Sequence, residues 1–202
     1  MKLYYATAAC SQAANISLRE AGLPFEMVKV DLPTKKTADG LDYLEVNPKG
    51  YVPALRLDNG EVLTEKVAVL QYVADRNPAA KLAPPLGSME RYRLMEWLAF
   101  INSEVHKAFS PLFRPDATEE VKQYTRKNLT RRLDYLNRVL ANKTYLMGEQ
   151  FTVADAYLFV VLSWSGYVKL DMTPWPQLKR YVERIGARPQ VIEALKSEGL
   201  IK

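Results

Sequence analysis

The chain of 202 residues has little to bind metal with: one cysteine and one histidine. A single cysteine excludes an intramolecular disulfide. The pair also falls short of the three or four such ligands that zinc and iron sites use, so no metal is expected. Long apolar runs are missing as well. Nothing approaches the ~20 consecutive apolar residues that span a bilayer, so no membrane partner is expected. The opening "YATAAC" imitates a lipoprotein cleavage site only loosely, because Tyr4, Tyr5 and Thr7 stand where a signal peptide has leucine. Cytoplasmic location is the resulting expectation. Internal repeats and low-complexity tracts are absent too.

What is present is a net charge of +5, unevenly spread. Residues 1–80 carry nine Lys/Arg against ten Asp/Glu, whereas residues 81–202 carry nineteen against thirteen. The densest basic stretch, "VKQYTRKNLTRRLDYLNRVL", spaces Leu129, Leu133, Leu136 and Leu140 as a helix does, which puts its charges on the solvent side. That reading outweighs a nucleic-acid surface, and no nucleic-acid partner is expected. The basic excess still favours anionic small molecules.

The two parts of the chain follow different patterns. "KLYY" and "FEMVKV" read as strands around a helix, "CSQAANISLREAG", with Gly22 as its stop. "DYLEVNPKG" reads as a short helix ended by Asn47-Pro48, since the residue before proline avoids helical angles. "PALRL" and "EVLT" flank "DNG", a hairpin signal, and "EKVAVLQYVAD" is a helix apolar nearly all round. The expected fold is therefore an α/β domain over residues 1–80 and a linker over 81–87, rich in proline and alanine. An all-helical domain over 88–202 follows, with helices near 88–112, 118–141, 152–168, 175–186 and 188–197.

Several residues stand out chemically. Free cysteine is usually a small buried hydrophobe, but Cys10 falls where a strand hands over to a helix N-terminus, a place that stabilises a thiolate. "CSQA" is a C-x-x-C motif without its second cysteine, and a monothiol there forms a mixed disulfide with a small thiol. Val52-Pro53 opens a strand. A cis bond there would present the backbone of Val52 to an extended peptide ligand; a structural trans proline at a strand start is the other reading. Thr64 could cap the next helix, aiming the N–H groups of Glu65 and Lys66 at a carboxylate, while Glu65 accepts from an ammonium group. Alternatively Glu65 only complements the helix dipole. On a helix, Ala99, Asn102, Ser103 and His106 form one stripe, fit for a cleft lining or for solvent. "FTVADAYLF" is a capping box in which Thr152 and Asp155 satisfy each other's N–H groups and Phe151 acts as a hydrophobic staple. Thr152 and Asp155 are thus structural.

Taken in order, "KLYY…ACS", "VDLPTKKT", "YLEVNPKGYVPAL", "LTE…QYVAD", "ERYR…EWLAFINSEVHKAFSPLF" and "TVADAYLF" resemble the cytosolic glutathione transferases, specifically the bacterial beta class, along essentially the whole chain. The resemblance implies a thioredoxin-like N-terminal domain, a helical C-terminal domain and a homodimer using glutathione as co-substrate. It implies Cys10 and His106 as the catalytic groups at the glutathione sulfur. Val52 would pair its backbone with the cysteinyl moiety beside a cis Pro53, and Lys35 would reach the glycyl carboxylate. The Glu65 helix start, with Lys66 beside it, would hold the γ-glutamyl end. Ser103 and Glu104 would complete that end, Glu104 across the dimer interface.

The sequence departs from the class in four places. Thr7-Ala8 replaces a proline-glycine, Ala14-Asn15 a Pro-His, Lys66 a small residue and Ala99 an asparagine. The leading expectation is conjugation of glutathione to small apolar electrophiles, with thiol–disulfide exchange through Cys10. Phe109, Phe113, Trp164 and Tyr167 are candidate pocket aromatics, which core packing explains equally well. A glutathione-dependent disulfide reductase or peroxidase is the alternative enzyme, and a non-catalytic ligand-binding protein the alternative outside enzymes.

Overall fold

A computed structural model describes all 202 residues. By its internal contacts the chain divides into two compact units, Met1–Ala83 together with Ala187–Lys202, and Pro84–Gly186.

The first unit is built on a five-stranded sheet in the order β3-β2-β1-β4-β5. Its strands are β1 (Lys2–Tyr5), β2 (Glu26–Asp31), β3 (Lys36–Thr37), β4 (Ala54–Arg56) and β5 (Val62–Thr64). β1 runs parallel to β2 and antiparallel to β4, so that Tyr4 faces Val28 on one side and Ala54 on the other. α1 (Gln12–Glu20) joins the parallel pair and α2 (Lys66–Arg76) follows the β4–β5 hairpin. Together these give the thioredoxin-like layout expected of this part. As the central strand, β1 buries Leu3, Tyr4 and Tyr5 in succession instead of alternating. Tyr4, Val30, Tyr43, Val46, Val52 and Ala54 pack as one cluster.

The segment Ala187–Lys202 groups with this first unit, although its position in the chain placed it with the helical region. Its helix α8 (Pro189–Ser197) lies against α1. Two polar contacts fix it there: Asn15 Nδ2 donates to Ser197 Oγ at 3.1 Å, and Arg188 forks onto Glu20 at 2.6 and 2.8 Å.

The second unit is all helical. α3 (Met89–Phe100) runs into a π-helical turn over Ile101–His106, then a short α4 (Lys107–Phe109), where the sequence pattern had predicted one continuous helix over 88–112. α5 (Glu119–Val139), α6 (Val153–Tyr167) and α7 (Pro176–Gly186) complete it. Leu129, Leu133 and Leu136 are fully buried, so the basic residues of α5 do lie on its outer side. α6 is buried almost throughout and packs against α3, the π turn and α7. No helix is long and apolar enough to cross a membrane.

The start of α6 carries the expected capping box. Asp155 Oδ2 accepts from the N–H of Thr152 at 2.8 Å and its hydroxyl at 2.9 Å. Asp155 Oδ1 accepts from the N–H of Leu146 and the hydroxyl of Tyr181, both at 2.8 Å. Phe151 is buried, its ring edge-on to Tyr145.

Candidate functional site

In the first unit the site begins with the loop that delivers Cys10. Ser11 Oγ accepts from the N–H of Ala6 at 3.2 Å and donates back to its carbonyl at 3.3 Å, closing the turn. Ala8 adopts φ 59, the left-handed region that favours glycine, which is where the class has its glycine. The N–H of Ala8 donates to Glu198 Oε2 at 3.1 Å. Glu198 also accepts from Asn15 Nδ2 at 3.1 Å and Gln12 Nε2 at 3.4 Å. Burial pushes the Glu198 carboxyl above its ordinary range, outweighing these three donors. Asn15, which replaces the histidine of the class, is thereby explained: it is a fully buried link between α1 and the C-terminal segment.

Cys10, two residues ahead of α1, is half-exposed, and its thiol donates to the carbonyl of Val52 at 3.3 Å. Val52-Pro53 is cis. Hence the Val52 carbonyl, expected to face a ligand, is engaged by the thiol. The residue before it is clamped: the Tyr51 carbonyl accepts from Tyr43 Oη and from Asn47 Nδ2, each at 2.7 Å. Burial raises the Tyr43 hydroxyl to about 12, so it acts as a donor throughout the physiological range. Neither Tyr43 nor Asn47 was singled out in the sequence. Lys35 Nζ donates to the Gly50 carbonyl at 2.8 Å, bringing an ammonium group within two residues of Val52. Gly50 has φ 67, the left-handed region that favours glycine, and a Cβ there would come within 3.2 Å of that lysine's Cε, which would have to shift.

Thr64 does not cap α2. It is the last residue of β5, opposite Ala54, and its hydroxyl takes a hydrogen bond from Lys49 Nζ at 3.1 Å. Glu65 occupies the N-cap position with φ 64 and ψ 111 and makes no side-chain cap. Such a backbone costs about 1–3 kcal/mol and is found at ligand clamps. Its carboxylate pairs with Lys49 at 2.7 Å, an ammonium that the sequence reading had left out. Lys66 begins α2 and is buried.

In the second unit, the predicted stripe divides. Asn102 and His106 converge on the hydroxyl of Tyr157, at 3.1 Å from Asn102 Oδ1 and 2.8 Å from His106 Nδ1. Ser103 instead turns back, donating to the Ala99 carbonyl at 3.0 Å. Glu104 Oε2 accepts from Arg132 of the same chain, at 2.7 Å from Nη2 and 3.2 Å from Nε. Trp164 meets His106 edge-on at 4.7 Å between ring centroids, and Phe109 and Phe113 are in turn edge-on to Trp164. Phe109 is fully buried, whereas Phe113 and Tyr167 are exposed.

Family models match both parts of the chain: "Glutathione S-transferase, N-terminal domain" over residues 8–76 and "Glutathione S-transferase, C-terminal domain" over residues 100–189. Glutathione S-transferase GstA of Escherichia coli O157:H7 is 48% identical, covering 99% of this chain and all of that protein. The chain belongs to the glutathione S-transferase family. Two solved structures place it further. A sphingomonad glutathione S-transferase complexed with glutathione is 50% identical, with a TM-score of 0.96 over the whole of both chains. A beta-class transferase of Sphingomonas chungbukensis, also 50% identical over both whole chains, has a TM-score of 0.97. This glutathione S-transferase is thus similar over its whole length to a bacterial beta-class transferase and to a transferase solved with glutathione bound.

Proposed function

We propose that this glutathione S-transferase joins the thiolate of glutathione to small apolar electrophiles, acting as a homodimer in the cytoplasm. The observation that carries the reading is full-length similarity to transferases in a chain whose thiol lies on the carbonyl of Val52 beside a cis proline. Cys10 and His106 are the groups assigned to stabilise the thiolate, and Cys10 also supports thiol–disulfide exchange. Lys35 is assigned to the glycyl carboxylate and the backbone of Val52 to the cysteinyl moiety. Glu65 and Lys66 are assigned to the γ-glutamyl end, with Ser103 and Glu104 completing it. The strained backbone of Glu65 and the ammonium already on its carboxylate support that part. The aromatic side chains Phe113 and Tyr167, exposed in the helical unit, are candidates for the electrophile.

Conjugation of an aryl halide by the purified enzyme tests the activity, and no product with a folded protein defeats it. Intact mass spectrometry after oxidised glutathione tests the thiol. One adduct of glutathione mass is expected, reversible by reductant and absent from Cys10→Ser. His106→Ala is expected to lower turnover by ~10²-fold or more, the usual contribution of a positioned proton-transfer group. Unchanged turnover removes His106 from the mechanism.

A further inference from the structure

We infer that Tyr157 and Asn102 are positioning residues that hold His106 in its Nδ1–H tautomer, leaving Nε2 as the nitrogen that bears the lone pair. A tyrosine hydroxyl has one proton to give. In Tyr157 that proton goes to Asn102 Oδ1 at 3.1 Å. Its oxygen therefore accepts at the 2.8 Å contact with His106 Nδ1, which must carry a proton to donate. With Asn102 Oδ1 as the acceptor at its end, the chain runs from imidazole to phenol to amide carbonyl.

Three features of the second unit make this arrangement a built one. Asn102 and His106 both belong to the π-helical turn Ile101–His106, and such turns recur at functional positions. Tyr157 belongs to α6, is fully buried and enters from a different element. Trp164, about two turns further along α6, meets the imidazole edge-on at 4.7 Å and limits how its ring turns. A partner on one ring nitrogen sets which tautomer the other nitrogen presents. Resting on the transferase reading, the consequence is that neutral His106 accepts the glutathione thiol proton at Nε2. The thiol becomes thiolate, the imidazole becomes imidazolium, and the hydrogen bond from Nδ1 to Tyr157 steadies the charge.

His106 is the only histidine in the chain, so one imidazole is read without assignment. The test labels the full-length protein with 15N-histidine and records long-range proton–nitrogen correlations at neutral pH, with and without glutathione. The pattern of an Nδ1–H tautomer is expected, and Tyr157→Phe should shift it toward the Nε2–H form that free imidazole prefers. An Nε2–H pattern in the wild type, or a pattern unmoved in Tyr157→Phe, overturns the assignment. Asn102→Asp, which keeps an acceptor, should preserve the wild-type pattern, and Asn102→Ala should weaken it; identical spectra for the two remove Asn102 from the chain. Turnover of Tyr157→Phe should fall ~10-fold with little change in KM for glutathione, as when an imidazole loses its orienting partner. A tautomer that shifts while turnover holds defeats the catalytic consequence. If His106→Ala conjugates normally, the transferase role of His106 fails while the tautomer assignment is still judged by its spectra.

Discussion

Each unit gathers buried donors around one carboxylate, and the two clusters arise from opposite kinds of sequence. In the helical unit Asp155 draws two of its four donors from Thr152, three residues away. In the sheet unit Glu198 takes its donors from Ala8, Gln12 and Asn15, at least 183 residues away. The first cluster is a helix-start signal that also recruits Leu146 and Tyr181. The second has no local signature: it forms only because α8 returns to α1. One stabilises the frame of its unit, whereas the other ends on the loop that carries Cys10.

The comparison breaks most visibly at Asp155. Asp155→Ala strands the buried backbone N–H groups of Leu146 and Thr152 and should destabilise the protein by about 3–5 kcal/mol, at roughly 1–3 kcal/mol for each orphaned donor. Denaturant unfolding would check it, and a loss below about 1 kcal/mol would mean that water replaces the carboxylate. Glu198→Gln should be milder, at roughly 1–3 kcal/mol, but should also alter the rate at which Cys10 reacts with oxidised glutathione, which Asp155→Ala in the other unit should not do.

The two variants also sharpen the electrostatics. Burial raises both carboxyls, so each native group holds its proton to a higher pH than the unfolded chain does. The stability Glu198 contributes is therefore full below the ordinary glutamate value of 4.5 and is lost as pH rises through its raised native value. The stability of the wild type minus that of Glu198→Gln should accordingly fall with rising pH across that window. A difference that grows would reverse the assigned shift. The smallest effect is expected at Ala8, whose left-handed φ is disfavoured by about 1–2 kcal/mol for a residue with a Cβ. Ala8→Gly should stabilise slightly, by under about 1 kcal/mol once the extra freedom of glycine in the unfolded chain is counted. A raised melting temperature with unchanged thiol reactivity is the expected outcome.

The same contrast explains what could be read from the sequence. The strands, the "DNG" hairpin, the capping box and the helices other than the one predicted over 88–112 rest on neighbours within a few residues, and these are present. β3 escaped notice because two paired residues within "TKKT" make no periodic pattern. The π turn was read as ordinary helix because Leu98, Ile101 and Val105 are buried at spacings of three and four through the change. Thr64 was misplaced as a cap because nothing in "LTEK" announces that Glu65 will turn through positive φ. In the candidate site, Cys10, Val52 and His106 stood out as candidates because of their residue types and their places at element ends. Their supports, Tyr43, Asn47, Glu198 and Tyr157, did not. Each acts through a partner on another element or loop, which a linear pattern does not reveal.

The return of the C-terminal segment to the first unit also orders events on the ribosome. Domains usually mature from the N-terminus as the chain emerges. Here Ala8 is made 190 residues before the carboxylate that holds it, a wait of roughly ten to forty seconds at ~5–20 residues per second. All of Pro84–Gly186 is synthesised within that interval. The helical middle can therefore fold on the nascent chain while the loop that carries Cys10 stays unfinished, and that loop acquires its settled surroundings only once Glu198 has emerged.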